Sequence, residues 1–319
     1  MCTRGSDGNA MNVSLYHHHS WHSRGYVVLR RSEWLGDGPA GRITEQLAAW
    51  AMQVATLPAG SHDRPPFGPF HSYERVARGE VRLSRTEAFV DHHLGLDAFL
   101  RGDASPVERL VAGLAREPVA LYKDKINYKF PGSGGYVPHQ DGYQRLGVPR
   151  YVSPRQRGFI AFVAMIAIDD ATVANGCPHV APKTWARKSG WLELRHACEY
   201  VSNGTTIEDG DGGGADEYVP IEMAPGDILV YDNFMPHTSR PNLSDGPRRA
   251  LFAIYYGAAS TPRDLRTEYY VSEARDRRNR DGGRFVAAAN VYHTGAPAWP
   301  SWSGLRSQDD PVGTFVGSM

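Results

Sequence analysis

The chain has little of what a disulfide framework or a thiolate metal site needs. Its three cysteines, Cys2, Cys177 and Cys198, are odd in number and show no CxxC spacing. Any metal must therefore be held by histidines and carboxylates. A net charge is also missing: 35 lysines and arginines stand against 35 aspartates and glutamates. Nothing steers the chain onto nucleic acid or an anionic membrane, which leaves a small molecule as the expected partner. No stretch approaches the roughly 18 consecutive apolar residues of a membrane helix. The opening MCTRGSDGNAMNVSLYHHHSWH has no apolar signal-peptide core, so the expected location is cytoplasmic. Oligomeric state is not legible in any of this.

What is present falls into two regimes. Met1 to about Asn12 is polar and reads as a disordered leader, with residues 13–319 as one domain. His17, His18, His19 and His22 form a compositional tract, because consecutive histidines point in different directions and supply no closed coordination shell. After the strand-like GYVVLRR, residues 43–57, 86–102 and 105–117 carry apolar positions three and four apart. That period predicts a helical N-terminal part over 40–117, interrupted by a Pro- and Gly-rich loop from Pro58 to His71. From Val119 the pattern changes to short β-like runs divided by Gly, Pro and Asn, among them GFIAFVAMIAI, DILVYD and RALFAIYYG. The expected fold is mainly β (α+β), a jelly roll over about 119–257 with flanking N-terminal helices. A Gly-rich insertion (204–217) breaks the core, and an extension (258–319) contains the charged helical piece DLRTEYYVSEARDRRNR.

The chemistry centres on His139-Gln140-Asp141. On a strand, positions i and i+2 share a face, so one imidazole and one carboxylate can grip a single ion. With 13 histidines and 35 acidic residues in 319, about one such triplet arises by chance, and alone it says little. About a hundred residues on, APGDILVYDNFMPHTSRPNLSDGPRRALFAIYYG supplies an apolar strand, then His237, then a turn at Asn242 to Gly246 and a further strand opening on Arg248. His237 completes a two-His, one-carboxylate set that leaves open positions on Fe(II). Arg248 is a guanidinium able to clamp a carboxylate, while Arg249 points to the other face and reads as a solvent residue. The plain alternatives are a packed core histidine and a surface arginine.

Together, INYKFPGSGGYVPHQD, the Asn175-Gly176-Cys177 turn, PGDILVYDN and HTSRPNLSDGPRR resemble the phytanoyl-CoA dioxygenase family of Fe(II)/2-oxoglutarate oxygenases. The likeness is strongest to the branch with ectoine hydroxylase and 2-aminoethylphosphonate dioxygenase. The resemblance implies a double-stranded β-helix core and iron ligation by His139, Asp141 and His237. It further implies a 2-oxoglutarate site with Arg248 on the distal carboxylate, Ser239 supporting it and Asn127 near the iron, and O2 as oxidant. One departure is Ala181-Pro182-Lys183-Thr184-Trp185, where many members carry Pro-Gly-Ser-His, and this bears on the substrate wall.

Substrate contacts are expected from position among Lys123, Lys125, Tyr136, Tyr143 and Gln144. Strand alternation puts Lys123, Lys125 and Asn127 on one face. An inward lysine there would meet an anionic substrate, amino-acid-like or phosphonate-like, although strand lysines ordinarily face solvent. The expected reaction is aliphatic hydroxylation with release of succinate and CO2. The rival reading is a non-catalytic β-barrel binding protein, against which Arg248 beside all three ligands argues.

Overall fold

The computed structural model describes residues 15–35, 42–58, 68–75, 80–141, 161–182, 204–206, 218–259, 262–280 and 291–293. The leader, residues 207–217 of the Gly-rich insertion, Lys183-Thr184-Trp185 and the Pro/Trp-rich end lie outside them. The chain opens with helix α1 (Leu15–Arg24), strand β1 (Tyr26–Leu29), and helices α2 (Arg31–Trp34) and α3 (Ile43–Thr56). Strands β2 (Phe70–Arg75) and β3 (Val81–Glu87) follow, then helices α4 (Leu94–Leu100) and α5 (Pro106–Ala115). Next come β4 (Val119–Lys129), β5 (Tyr136–Asp141), β6 (Ala161–Ala167), β7 (Pro178–Val180) and β8 (Gly204–Thr206). The last elements are β9 (Val219–Pro220), β10 (Ile228–Asp232), β11 (His237–Ser239), β12 (Arg248–Gly257), helix α6 (Leu265–Arg280) and β13 (Val291–His293).

Local chemistry explains the best-defined helix. Ser105 caps α5 by accepting from the Glu108 amide, Pro106 occupies its first turn, and Arg116 closes it in the left-handed region at φ 58°. Its buried residues Val107, Leu110, Val111 and Leu114 form one stripe.

Two sheets carry the fold. The larger runs β1-β10-β6-β12-β4-β3-β2-β13 and the smaller β8-β5-β11-β7-β9. One face of the larger sheet, with Ile126, Ile166, Val230 and Leu251, packs on Leu47, Val54, Leu100 and Leu110 of the helices. The opposite face, with Met165, Leu229 and Phe252, packs on Val180 of the smaller sheet and on Tyr269 and Tyr270 of α6. Because both faces of β6 are covered, its sequence AFVAMIA is buried at every position and shows no alternation. This is a jelly-roll sandwich.

Several expectations change. The N-terminal third is not simply helical, since β1, β2 and β3 all belong to the larger sheet. Residues 86–102 form no single helix: Glu87 ends β3, Ala88 takes φ 59°, and α4 covers only Leu94–Leu100. Phe70 and His71, expected in a loop, begin β2, where His71 bonds the Leu57 carbonyl and Thr86. In the histidine tract, His17 is buried 3.6 Å from Glu33, whereas His19 and His22 are exposed. Among the described residues no helix is long and apolar enough to cross a membrane.

Candidate metal and co-substrate site

Strands β5 and β11 pair antiparallel with His237 directly opposite His139. Asp141 follows two residues on along β5, and its Oδ2 lies 3.5 Å from His237 Nε2. His237 Nδ1 sits 3.0 Å from the Met235 carbonyl. A carbonyl only accepts, so Nδ1 carries the proton and the lone pair of Nε2 faces the carboxylate, the arrangement that orients a metal-binding histidine. Burial holds the His237 imidazole below its ordinary value against the opposing pull of Asp141, which favours the neutral, ligating form. Tyr231 closes this corner: its ring centroid is 4.9 Å from that of His237, and its hydroxyl bonds Asp141. Burial, reinforced by Asp141, pushes the Tyr231 phenol well above its ordinary range, so it stays a donor. Between them, Gln140 turns to the Phe234 carbonyl at 2.5 Å.

A nitrogen and a carboxylate oxygen at this spacing suit one divalent ion with bonds of about 2.1 Å. Among the described side chains, no three His, Cys, Asp or Glu groups gather around one point. The side chain of His139 lies outside them, and it is placed by strand register alone.

His237 opens into a pocket between the sheets, walled on its apolar side by Met165, Val180 and Phe252. At one end stands Arg248, 2% exposed. Its Nη2 donates to the Gly176 carbonyl at 2.9 Å, while its Nε has no partner among the described residues. Asn127 lines the same pocket, 6% exposed, and its Oδ1 has no partner among the described residues. Buried polar groups in folded proteins are almost always paired, so two such atoms in one pocket indicate a polar ligand. Ser239 and Tyr136 also line it, with Ser239 Oγ accepting from Lys129 Nζ at 2.9 Å.

The lysines depart from the solvent expectation. Lys125 lines the pocket with Nζ 4.7 Å from the Phe252 ring centroid. Burial brings it down to about 8, with Asp141 opposing and Lys123 and Arg85 adding to the fall. Lys123 turns inward too, but away from the pocket: its Nζ bonds Tyr269 Oη at 2.7 Å and pairs with Glu87 at 3.2 Å. Both are inward because β4 lies in the middle of a sheet covered on both faces. Arg249 is not a free solvent residue either, since its guanidinium holds Asp169 through two bonds of 2.8 and 2.9 Å. Tyr143 and Gln144 lie outside the described residues. Two site residues were missed in the sequence: Lys129, which continues the Lys123, Lys125, Asn127 alternation by one step, and Tyr231, two residues beyond Leu229 on β10.

Paired sheets enclosing an imidazole–carboxylate pair and a buried guanidinium fit the class of jelly-roll, non-heme metal oxygenases. The chain matches the family described as Phytanoyl-CoA dioxygenase (PhyH) over residues 21–250, and it belongs to that family. It is 33% identical over 282 residues to a methylphosphonate hydroxylase of Gimesia maris, covering 87% of this chain and 94% of that one. Against a 2-aminoethylphosphonate dioxygenase from an uncultured bacterium it is 29% identical over 233 residues, covering 69% and 77%. In fold it is similar to the crystal structure of EctD from S. alaskensis with 2-oxoglutarate and 5-hydroxyectoine. That likeness has a TM-score of 0.54 at 16% identity over 81% of this chain and 80% of that one. The chain is an Fe(II)- and 2-oxoglutarate-dependent dioxygenase.

Proposed function

We propose that the chain hydroxylates a C–H bond of a small aliphatic phosphonate. In this reading His139, Asp141 and His237 hold the iron, and Arg248, Ser239 and Asn127 receive 2-oxoglutarate. One observation carries it: Arg248 is almost wholly buried, has an Nε without a partner among the described residues, and lines the pocket into which His237 opens. Iron and 2-oxoglutarate, when bound, activate O2 and yield succinate and CO2 as the substrate gains a hydroxyl group.

The chain's own residues do the positioning. Arg248 and Ser239 orient the far carboxylate, Asn127 offers an amide edge nearer the metal, and Tyr231 holds the Asp141 carboxylate. Met165, Val180 and Phe252 keep the reacting end dry. Asp141 occupies the position that must be vacant for a halide ligand, which favours hydroxylation over halogenation. Lys125 remains as the cation for the substrate. Its ammonium rests on the face of Phe252, and the names of the two phosphonate-oxidising relatives support an oxyanion there. We infer a cytoplasmic location from the Fe(II) requirement and the free, buried Cys177, both suited to a reducing compartment.

The test combines spectroscopy with turnover. Anaerobic addition of 2-oxoglutarate to the Fe(II) protein gives a weak visible charge-transfer band that is absent in His139→Ala. With O2, short phosphonates elicit succinate coupled to their hydroxylation, and their carboxylate counterparts do not. Lys125→Met raises the phosphonate KM at least about tenfold while leaving substrate-free succinate formation unchanged. No band and no succinate in metal-replete protein would falsify the site assignment, and coupling to carboxylates alone would refute the substrate class.

A further inference from the structure

At the proposed 2-oxoglutarate end of the pocket, Arg248 lines the wall and Lys129 stands behind Ser239, two basic side chains where one carboxylate anchor is needed. Arg248 and Lys129 are direct partners across β12 and β4, 2% and 3% exposed. Like charges facing each other across a sheet repel, and buried charges are costly without a counter-charge. The neighbouring carboxylate, Glu74, is a poor counter-ion. It is itself buried, takes a hydrogen bond from the Ser133 hydroxyl, and is held above the ordinary carboxylate range by its burial. A pair of this kind persists when something other than folding needs it.

The bonds of Lys129 say what it does. Its Nζ donates to Ser239 Oγ at 2.9 Å and to the Arg240 carbonyl at 2.5 Å, and lies 5.7 Å from the Tyr136 ring centroid. Burial and the facing Arg248 pull this amine well below its ordinary range, and a carboxylate bound beside it restores the charged form, which has no lone pair. Ser239 Oγ must therefore accept, and its own hydrogen is left for a group outside this bond. Ser239 lines the pocket beside Arg248. Opposite, Gly176 keeps the space clear: a Cβ there would stand 2.1 Å from the Arg240 carbonyl oxygen and 3.0 Å from Lys129 Nζ.

We infer that Lys129 is a positioning residue of the co-substrate site. It fixes Ser239 as a donor toward the distal carboxylate and supplies a second positive charge that selects a dicarboxylic over a monocarboxylic 2-oxo acid. The inference rests on 2-oxoglutarate binding at Arg248. A merely structural Lys129 would tie down the Arg240 carbonyl and have no influence on that selection.

The experiment is anaerobic calorimetric titration of the full chain, with Mn(II) in place of iron, using 2-oxoglutarate and 2-oxobutyrate. Wild type prefers 2-oxoglutarate. Lys129→Met loses at least about tenfold in affinity for it and changes by less than about twofold toward 2-oxobutyrate, so the preference collapses. In a Ser239→Ala background the same substitution costs markedly less, because the two residues act through one bond. Lys129→Arg keeps the charge, retains most of the preference, and serves where Met impairs folding. Equal losses for both acids, or an unchanged preference in Lys129→Met, overturns the inference with the oxygenase reading intact. A wild type that binds neither acid overturns both.

Discussion

Gly176 shows how much one residue without a side chain can settle. It sits at φ +76°, where an L side chain is strained, and its carbonyl accepts from Arg248 Nη2 at 2.9 Å. The turn before it is built by Asn175, whose Oδ1 accepts from the Thr172 amide and whose Nδ2 donates to the Asp170 carbonyl, both at 2.8 Å. Gly176 thus aims the guanidinium while leaving room for the Arg240 carbonyl and Lys129. Gly176→Ala must displace backbone rather than a flexible side chain. We expect a loss of about 1–3 kcal/mol from overpacking, with the left-handed backbone adding to it, read as a lower urea midpoint. Weaker 2-oxoglutarate binding accompanies it. A variant as stable as wild type would mean that the Arg240 carbonyl is not held against this turn.

At the scale of elements, α6 is strapped to β4 directly behind the proposed substrate lysine. Arg266 pairs with Asp124 at 2.5 Å and with Asp91 at 2.9 Å. Asp124, wholly buried, also accepts from the amides of Phe89 and Val90. Arg266→Ala leaves a buried carboxylate without its cation, and the expected loss is about 3–5 kcal/mol. Chemical denaturation monitored by tryptophan fluorescence measures it. The pH dependence follows from Asp91. Burial alone would raise its carboxyl, but Arg266 and Arg101 hold it below the ordinary 3.8. A group depressed in the folded state contributes stability above its unfolded value, and that contribution is lost as pH falls through the folded one. Wild type should therefore lose stability more steeply than Arg266→Ala below about pH 4. Parallel curves would show that the ion pair adds nothing. The strap was only half legible in the sequence. The helical period of DLRTEYYVSEARDRRNR revealed α6, yet nothing local tied Arg266 to Asp124, 142 residues away. The β2–β3 hairpin escaped for a related reason. Its polar, arginine-rich strands lack an apolar alternation, and the apolar spacing of 86–102 runs unbroken past Ala88, where the backbone departs from helix.

The whole molecule is electrically balanced, with 35 charges of each sign, but its pocket is not. Arg248 and Lys125 line it, and Lys129 stands behind Ser239. The proposed metal triplet, His237 and Arg248 stand out in the sequence because each belongs to a short motif on its own strand. Lys129 and Tyr231 do not, because what they touch is decided by how two sheets stack. A chain without net charge gives little long-range attraction, so the affinity for a dicarboxylate is expected to come from contact inside the pocket. Binding to the folded state alone stabilises it by about 2.7 kcal/mol at a hundredfold excess over Kd. For a chain of this size that corresponds to a rise of about 4 °C in Tm. Exposed charges are screened over about 8 Å at physiological salt, and buried ones much less. Mn(II) with 2-oxoglutarate should therefore raise Tm by this amount at both 0.1 and 0.5 M salt, measured by differential scanning fluorimetry, and Mn(II) with 2-oxobutyrate by distinctly less. A shift that vanishes at the higher salt would place the dicarboxylate on the surface rather than between the sheets.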